Sequence, residues 1–228
     1  MSLVLDTTYN GDCLEVMSKM EDNSVDYVFT SPPYNRKRND KYTHYDDRIE
    51  DYYGFLVAVL EECLRVSKKF VFFNIQATYY NAQDVYKLIG EFSDCIRQTI
   101  IWEKTNPLPA SGKNITNSYE FILVLGLGNE PFQSNFVYTK NIIHTSVNSN
   151  MPKEHKAVMH YDVADWVIRN FTQEREIVLD PFMGTGTTAL ACVKNNRHYI
   201  GIEISPDYCT MSNDRVKDVT VQSNLFGN

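Results

Sequence analysis

Ser31-Pro32-Pro33-Tyr34 is the segment whose residue types most directly suggest chemistry. It follows a short apolar run, 25–29, that reads as a strand. Two prolines cannot continue a central strand, so the chain turns there. Each proline fixes φ and removes a backbone donor, leaving a stiff turn rich in carbonyls. Such a turn suits an exocyclic amine on a nucleobase. That nitrogen is a poor nucleophile because its lone pair is delocalised into the ring. Acceptors on both of its N–H groups favour a tetrahedral nitrogen and aim the lone pair at a methyl sulfonium. Ser31 Oγ and the Pro32 carbonyl are the candidate acceptors, Pro33 completes the lock, and Tyr34 can hold a planar base by stacking. A base in a duplex must first be flipped out. Methyl transfer to cytosine C5 would instead need an attacking Cys, commonly after Pro, and the chain has no Pro-Cys pair. The plainer alternative is a simple turn between strand and loop.

The second cluster is IVLDPFMGTGTTALA, residues 177–191. A buried strand ends at Asp180, Gly184 and Gly186 follow, and a helix opens at Thr187. Strand, glycine turn and helix N-terminus together let a backbone approach a ligand closely. The spacing Gly184-x-Gly186-x-x-Ala189 fits a dinucleotide fingerprint, and Glu203 lies at the end of the next strand, placed to accept from ribose hydroxyls. No Lys follows the second glycine, so this is not a phosphate-cradling loop. Two ligands compete: a nicotinamide or flavin nucleotide, and S-adenosylmethionine. Asp180 favours the second, because a carboxylate there repels a pyrophosphate and suits a cationic methionine end. The bland rival is a glycine turn that merely packs helix on strand.

These clusters need elements to hold them. Strands are expected at 25–29, 69–75, 96–102, 120–125, 176–179 and 199–204. Helices are expected at 51–66, 162–171, 187–195 and 207–219. The alternation predicts one α/β domain over 1–228 with a mostly parallel sheet flanked by helices. Residues 105–153 are rich in Asn and poor in period, so they read as an inserted elaboration, with 105–118 and 129–153 the candidate target-reading segments.

The 228 residues suffice for one domain, and 43% hydrophobic with 22% charged is ordinary globular composition. The net charge of −7 argues against a broadly basic nucleic-acid binder, but binding follows local charge. Arg36, Lys37, Arg38 and Lys41 against Asp40 place positive charge just after the proline turn, where phosphates would lie. Asn35 and Lys113 join them as candidate DNA contacts. Residues 35–48 are expected to order on DNA. Five Cys without a CxxC suggest neither zinc site nor disulfide framework, and no metal is expected. No apolar stretch approaches a membrane span and the N-terminus lacks a signal pattern, so a cytoplasmic protein is expected.

TSPPYN (30–35) together with DPFMGTGTT (180–188) resembles the β-class exocyclic-amino DNA methyltransferases, which act on cytosine N4 or adenine N6. The chain order, catalytic turn first and cofactor turn last, is similar to that class's circularly permuted arrangement. The resemblance implies a Rossmann-like S-adenosylmethionine-dependent fold. It implies that Ser31, Pro32, Pro33 and Tyr34 form the catalytic turn. Thr30, Asp180, Pro181, Phe182, Gly184, Gly186, Thr187, Thr188 and Glu203 would line the cofactor. Asp12, in Asn10-Gly11-Asp12 after a short opening strand, matches the family's adenine contact. The partner implied is double-stranded DNA, with or without a cognate restriction endonuclease, and with monomer and homodimer both open. The family's His-Pro segment is missing: 153–161 reads KEHKAVMHY, so no role carries over to His155 or Lys156. A Ser before the prolines is more typical of cytosine N4 methylation and an Asp of adenine N6. Enzymes acting on RNA or glutamine usually carry Asn there. A nicotinamide oxidoreductase and an inactive DNA-binding module complete the rivals.

Overall fold

The computed structural model describes residues 3–35, 48–107, 109–110, 112–146 and 159–225. Its centre is an eight-stranded sheet formed by β1 (Thr7–Asn10), β2 (Val25–Thr30), β3 (Ser67–Ile75), β4 (Ile96–Lys104), β5 (Tyr119–Leu125), β6 (Ile142–Thr145), β7 (Ile177–Asp180) and β8 (His198–Glu203). Their spatial order is β1-β8-β7-β2-β3-β5-β4-β6. Only β5 is antiparallel to its neighbours, β3 and β4. The mostly parallel expectation therefore holds.

Parallel strands must be covered on both faces, which is why β3 reads as unbroken apolar sequence. Its alternate residues serve two cores. Val71, Phe73 and Ile75 pack with α1 (Cys13–Met17), α2 (Tyr52–Val66) and α3 (Ala82–Glu91). Phe70 and Phe72 pack with α4 (Tyr161–Phe171) and α5 (Thr187–Lys194) on the other face, where α6 (Pro206–Leu225) also lies. Asp51 caps α2 by accepting from Gly54 N at 2.9 Å, so the helix starts one residue later than its apolar pattern suggested.

Three elements were not anticipated: α1, α3 and β6. In α1, five residues give too little sequence for a periodic signal. In α3, only Val85 and Leu88 are buried, and Gly90 weakens the pattern. β6 lies inside the stretch assigned to target reading, and it pairs parallel with β4 from Ile101↔Ile142 to Lys104↔Thr145. The edge of the main sheet therefore runs through the supposed elaboration. The reversal of β5 bears on the two candidate target-reading segments. Its last residue, Leu125, pairs with Val71 near the start of β3, so 126–141 leaves the sheet at the end opposite the catalytic turn. There Phe132 stacks on Phe171, with ring centroids 4.7 Å apart. Of the two candidate target-reading segments, 105–118 starts from the sheet end that carries the turn; in 129–153, residues 129–141 lie away from it, β6 runs back to that end at Thr145, and 147–153 fall outside the described residues.

Candidate active site

The strand order reverses between β7 and β2: β7 leads outward to β8, β2 outward to β3. In an open α/β sheet the crevice at such a point, beyond the carboxyl ends of the strands, is where ligands bind. The glycine turn follows β7 and the proline turn follows β2, so the fold puts both candidate sequences there.

A clasp joins them. Thr30 Oγ1 donates to Asp180 Oδ1 at 2.8 Å, Phe182 N to the same oxygen at 3.0 Å, and Thr188 Oγ1 to Oδ2 at 2.6 Å. One carboxylate thus ties β2, β7 and α5 together. Asp180 is 3% exposed, and burial raises its pKa from 3.8 to about 6 against the pull of these donors. Beside the ligand-facing role expected for Asp180 the structure shows a structural one: its oxygens accept from Thr30, Phe182 and Thr188. Thr30 and Thr188 are likewise buried and spent on it.

The two glycines do different work. Gly186 has φ +87, and a Cβ there would lie 2.7 Å from Ser212 Oγ on α6, so it serves close packing. Gly184 has φ +54, and a Cβ there would meet nothing within 4 Å. Its backbone faces open space, as close approach to a ligand requires. Glu203 steadies this turn, accepting from Gly184 N at 2.8 Å and Ser205 N at 2.9 Å, and burial pushes its carboxyl above the usual range. Phe182 stands half-buried, edge-on to Phe55 with centroids 5.9 Å apart. Pro181 and Thr187 are buried behind the turn. Asp12 Oδ1 caps α1 through Leu14 N at 2.9 Å and Glu15 N at 3.1 Å. The partly exposed Gly184, Phe182, Glu203 and Asp12 fit a nucleoside with a flexible tail.

The proline turn is anchored from below. Tyr52 donates to the Pro33 carbonyl at 2.7 Å, and Asn81 Nδ2 to the Tyr34 carbonyl at 2.9 Å. Pro32 is buried. Asn35, at φ +49 and 3% exposed, donates to Ile49 O at 3.0 Å and accepts from Ile49 N at 3.2 Å. This corrects its assignment as a DNA contact: both ends of its amide hold the chain at Ile49. Lys113 is exposed between β4 and β5. Arg36, Lys37, Arg38, Lys41, His155 and Lys156 lie outside the described residues, as does most of the 35–48 segment expected to order on DNA.

Above the prolines lies a polar group that sequence reading missed. Ser31 Oγ is 3.0 Å from the Tyr34 hydroxyl, which donates to Glu120 Oε2 at 2.6 Å. Asn74 Nδ2 lies 2.8 Å from the Tyr34 hydroxyl, 2.8 Å from Glu120 Oε2 and 3.3 Å from Ser31 Oγ. Its orientation is fixed, because a flipped amide would set Oδ1 against the Glu120 carboxylate. Lys104 pairs with Glu120 Oε1. Asn74 Oδ1 is buried without a partner among the described residues, the kind of orphan acceptor that calls for an explanation. A polar residue inside the apolar run of β3 was the available signal for Asn74. Glu120 at the head of an apolar strand was the other.

Residues 25–214 match the N6/N4 methyltransferase family, described as DNA methylases. The chain is 28% identical to the type II methyltransferase M2.MboI of Moraxella bovis over 93% of this chain and 88% of that protein. In fold it is similar to the PvuII DNA methyltransferase, described as cytosine-N4-specific, with a TM-score of 0.73 at 18% identity over 97% of this chain and 93% of that one. It is also similar to M1.HpyAVI solved with S-adenosylmethionine, with a TM-score of 0.69 at 22% identity over 92% and 98%. A proline-locked turn and a glycine turn meeting where the strand order reverses are thus joined to a family match over most of the chain: this protein belongs to the N6/N4 DNA methylases, S-adenosylmethionine-dependent enzymes.

Proposed function

We propose that the enzyme methylates the exocyclic N4 of a cytosine flipped out of duplex DNA. The observation that carries this is the commitment of the Tyr34 proton to Glu120. With that proton engaged, the contact between Ser31 and Tyr34 is made by the Ser31 hydroxyl donating. A lone pair on Ser31 Oγ is then left to accept from an amine. The Pro32 carbonyl is the second acceptor, and the Tyr34 ring is the stacking surface. S-adenosylmethionine supplies the electrophilic methyl when bound. Gly184 opens its backbone to that ligand, Phe182 presents an apolar face, Glu203 accepts from ribose, and Asp12 lies ready for adenine.

A serine hydroxyl before the prolines and the PvuII likeness support cytosine over adenine. The type II relative supports a fixed recognition sequence and a restriction endonuclease of matching specificity. Among the described residues, no helix is long and apolar enough to cross a membrane. The deciding experiment is incubation with methyl-labelled cofactor and duplex DNA of mixed sequence, followed by nucleoside analysis. N4-methylcytosine is the expected product. N6-methyladenine would overturn the choice of base, and label only in RNA or protein would overturn the DNA substrate.

A further inference from the structure

The catalytic turn accounts for how an amine is made nucleophilic but not for where its surplus proton goes. Once nitrogen has gained a fourth bond it carries a positive charge, and one N–H proton must leave. Water is a poor recipient in a closed site, so the protein must offer a route.

Resting on the reading above, we propose that Ser31, Tyr34 and Glu120 form a one-way proton wire with Glu120 as its terminus. The direction follows from the donors. The phenol of Tyr34 is committed to Glu120 Oε2 at 2.6 Å. Its oxygen therefore accepts from the Ser31 hydroxyl at 3.0 Å and from Asn74 Nδ2 at 2.8 Å. Every hydrogen in the chain already points toward the carboxylate. The transfer balances atom by atom. The amine proton moves to Ser31 Oγ, the Ser31 hydroxyl proton to the Tyr34 oxygen, and the Tyr34 phenolic proton to Glu120 Oε2. Ser31 and Tyr34 end neutral as they began, the product amine is neutral, and the carboxylate has become a carboxylic acid.

Three further observations fit a terminus and not merely a fold contact. The Glu120 side chain is 4% exposed, yet Lys104 supplies its counter-charge on the other oxygen. Apolar packing in place of a buried ion pair is often neutral or stabilising, so stability alone does not account for this one. Asn74 donates to the wire but offers it no acceptor, so it holds Tyr34 and Glu120 in line without diverting the proton. Lys104, 19% exposed against 4% for Glu120, is the more solvent-accessible member of the pair. Lys104 from β4 and Tyr34 from the catalytic turn are ionisable groups in direct contact with the Glu120 carboxylate. Glu120 acts through two other residues and so positions and drains the site without touching substrate.

The test compares wild type, Glu120→Gln, Glu120→Asp and Tyr34→Phe in single-turnover methylation across pH, with cofactor and DNA affinities measured separately. Glu120→Gln is expected to slow turnover by about 100-fold, within the range for loss of a positioned acid or base, and to abolish the loss of rate on the acid side. Tyr34→Phe, which leaves the Glu120–Lys104 pair intact, should be slowed comparably, and Glu120→Asp should recover part of the rate. Cofactor affinity should stay within about threefold throughout. In ligand-free protein labelled at tyrosine, the Tyr34 ring-carbon resonance should move in Glu120→Gln. A Glu120→Gln rate within about threefold of wild type would overturn the wire, as would a slow variant that keeps the wild-type acid limb. Wild type that methylates no DNA would instead overturn the underlying function, so the two failures are distinct.

Discussion

Asp180 shows how burial changes a residue's job. The sequence places a carboxylate before a glycine turn, and its charge suggests a cationic ligand. The structure surrounds it with two hydroxyls and a backbone N–H, and burial lifts it to about 6 from 3.8. A carboxyl raised on folding stabilises the native state while protonated. That contribution is complete below pH 3.8 and is lost as pH climbs through about 6. A shift of this size corresponds to about 3 kcal/mol of pH-dependent stability. Asp180→Asn removes the ionisation. In ligand-free protein its melting temperature relative to wild type should therefore rise from about pH 3.8 to about pH 6 and level off above that. A constant difference across that window would show that the carboxylate carries no such burden. Ser31, the prolines and the glycines were legible because their types are unusual where they stand. Asn74 and Glu120 were not, because their meaning depends on a strand reversal that no local pattern reports. Pairing Asn74 with Ile122 brings Glu120, two residues earlier on β5, to the same face and end of the sheet.

Helices and turns hold the chemistry by specific attachments, and each can be removed. Tyr52, buried at the first turn of α2, reaches the Pro33 carbonyl. Tyr52→Phe should cost about 1 kcal/mol in urea unfolding, the net worth of a hydrogen bond, and should lower methylation while leaving cofactor affinity unchanged. Gly186 caps α5 at positive φ, and a methyl there meets Ser212 Oγ at 2.7 Å and Ser212 Cα at 3.0 Å. Gly186→Ala should lose about 1–3 kcal/mol, because backbone strain adds to a clash with a neighbouring helix. Equilibrium unfolding checks this, and a variant as stable as wild type would deny the contact with α6. The long periodic elements were legible from sequence, since β3, β5, α2 and α4 carry enough apolar residues to declare a face. The short ones were not: β6 has four residues, and its place at the sheet edge is set by its pairing with β4.

For the molecule as a whole, an acidic protein must present a locally basic surface to a polyanion. The net charge is −7, yet four of the first seven residues after the proline turn's Tyr34 are basic. Replacing Arg36 and Lys37 by Glu should weaken duplex binding and flatten its dependence on salt, by about 0.9 in log–log slope for each phosphate that is no longer neutralised. Cofactor affinity should not change. Titration of labelled duplex at several salt concentrations reads both effects, and an unaltered slope would remove these residues from the DNA surface. The lone reversed strand, β5, has a practical corollary for redirecting the enzyme. Lys104 N donates to Ser118 O at 2.7 Å and Glu103 pairs with Tyr119, so the chain between them leaves from and returns to fixed posts. On the proposal that residues 105–118 read the target, transplanting the corresponding stretch from a relative is expected to change the sequence methylated while the sheet stays as it is, and an unchanged target would remove this segment from recognition. Residues 126–141 leave at the far end, so a dye on an exposed position there, such as Tyr138, is expected to leave the methylation rate unchanged.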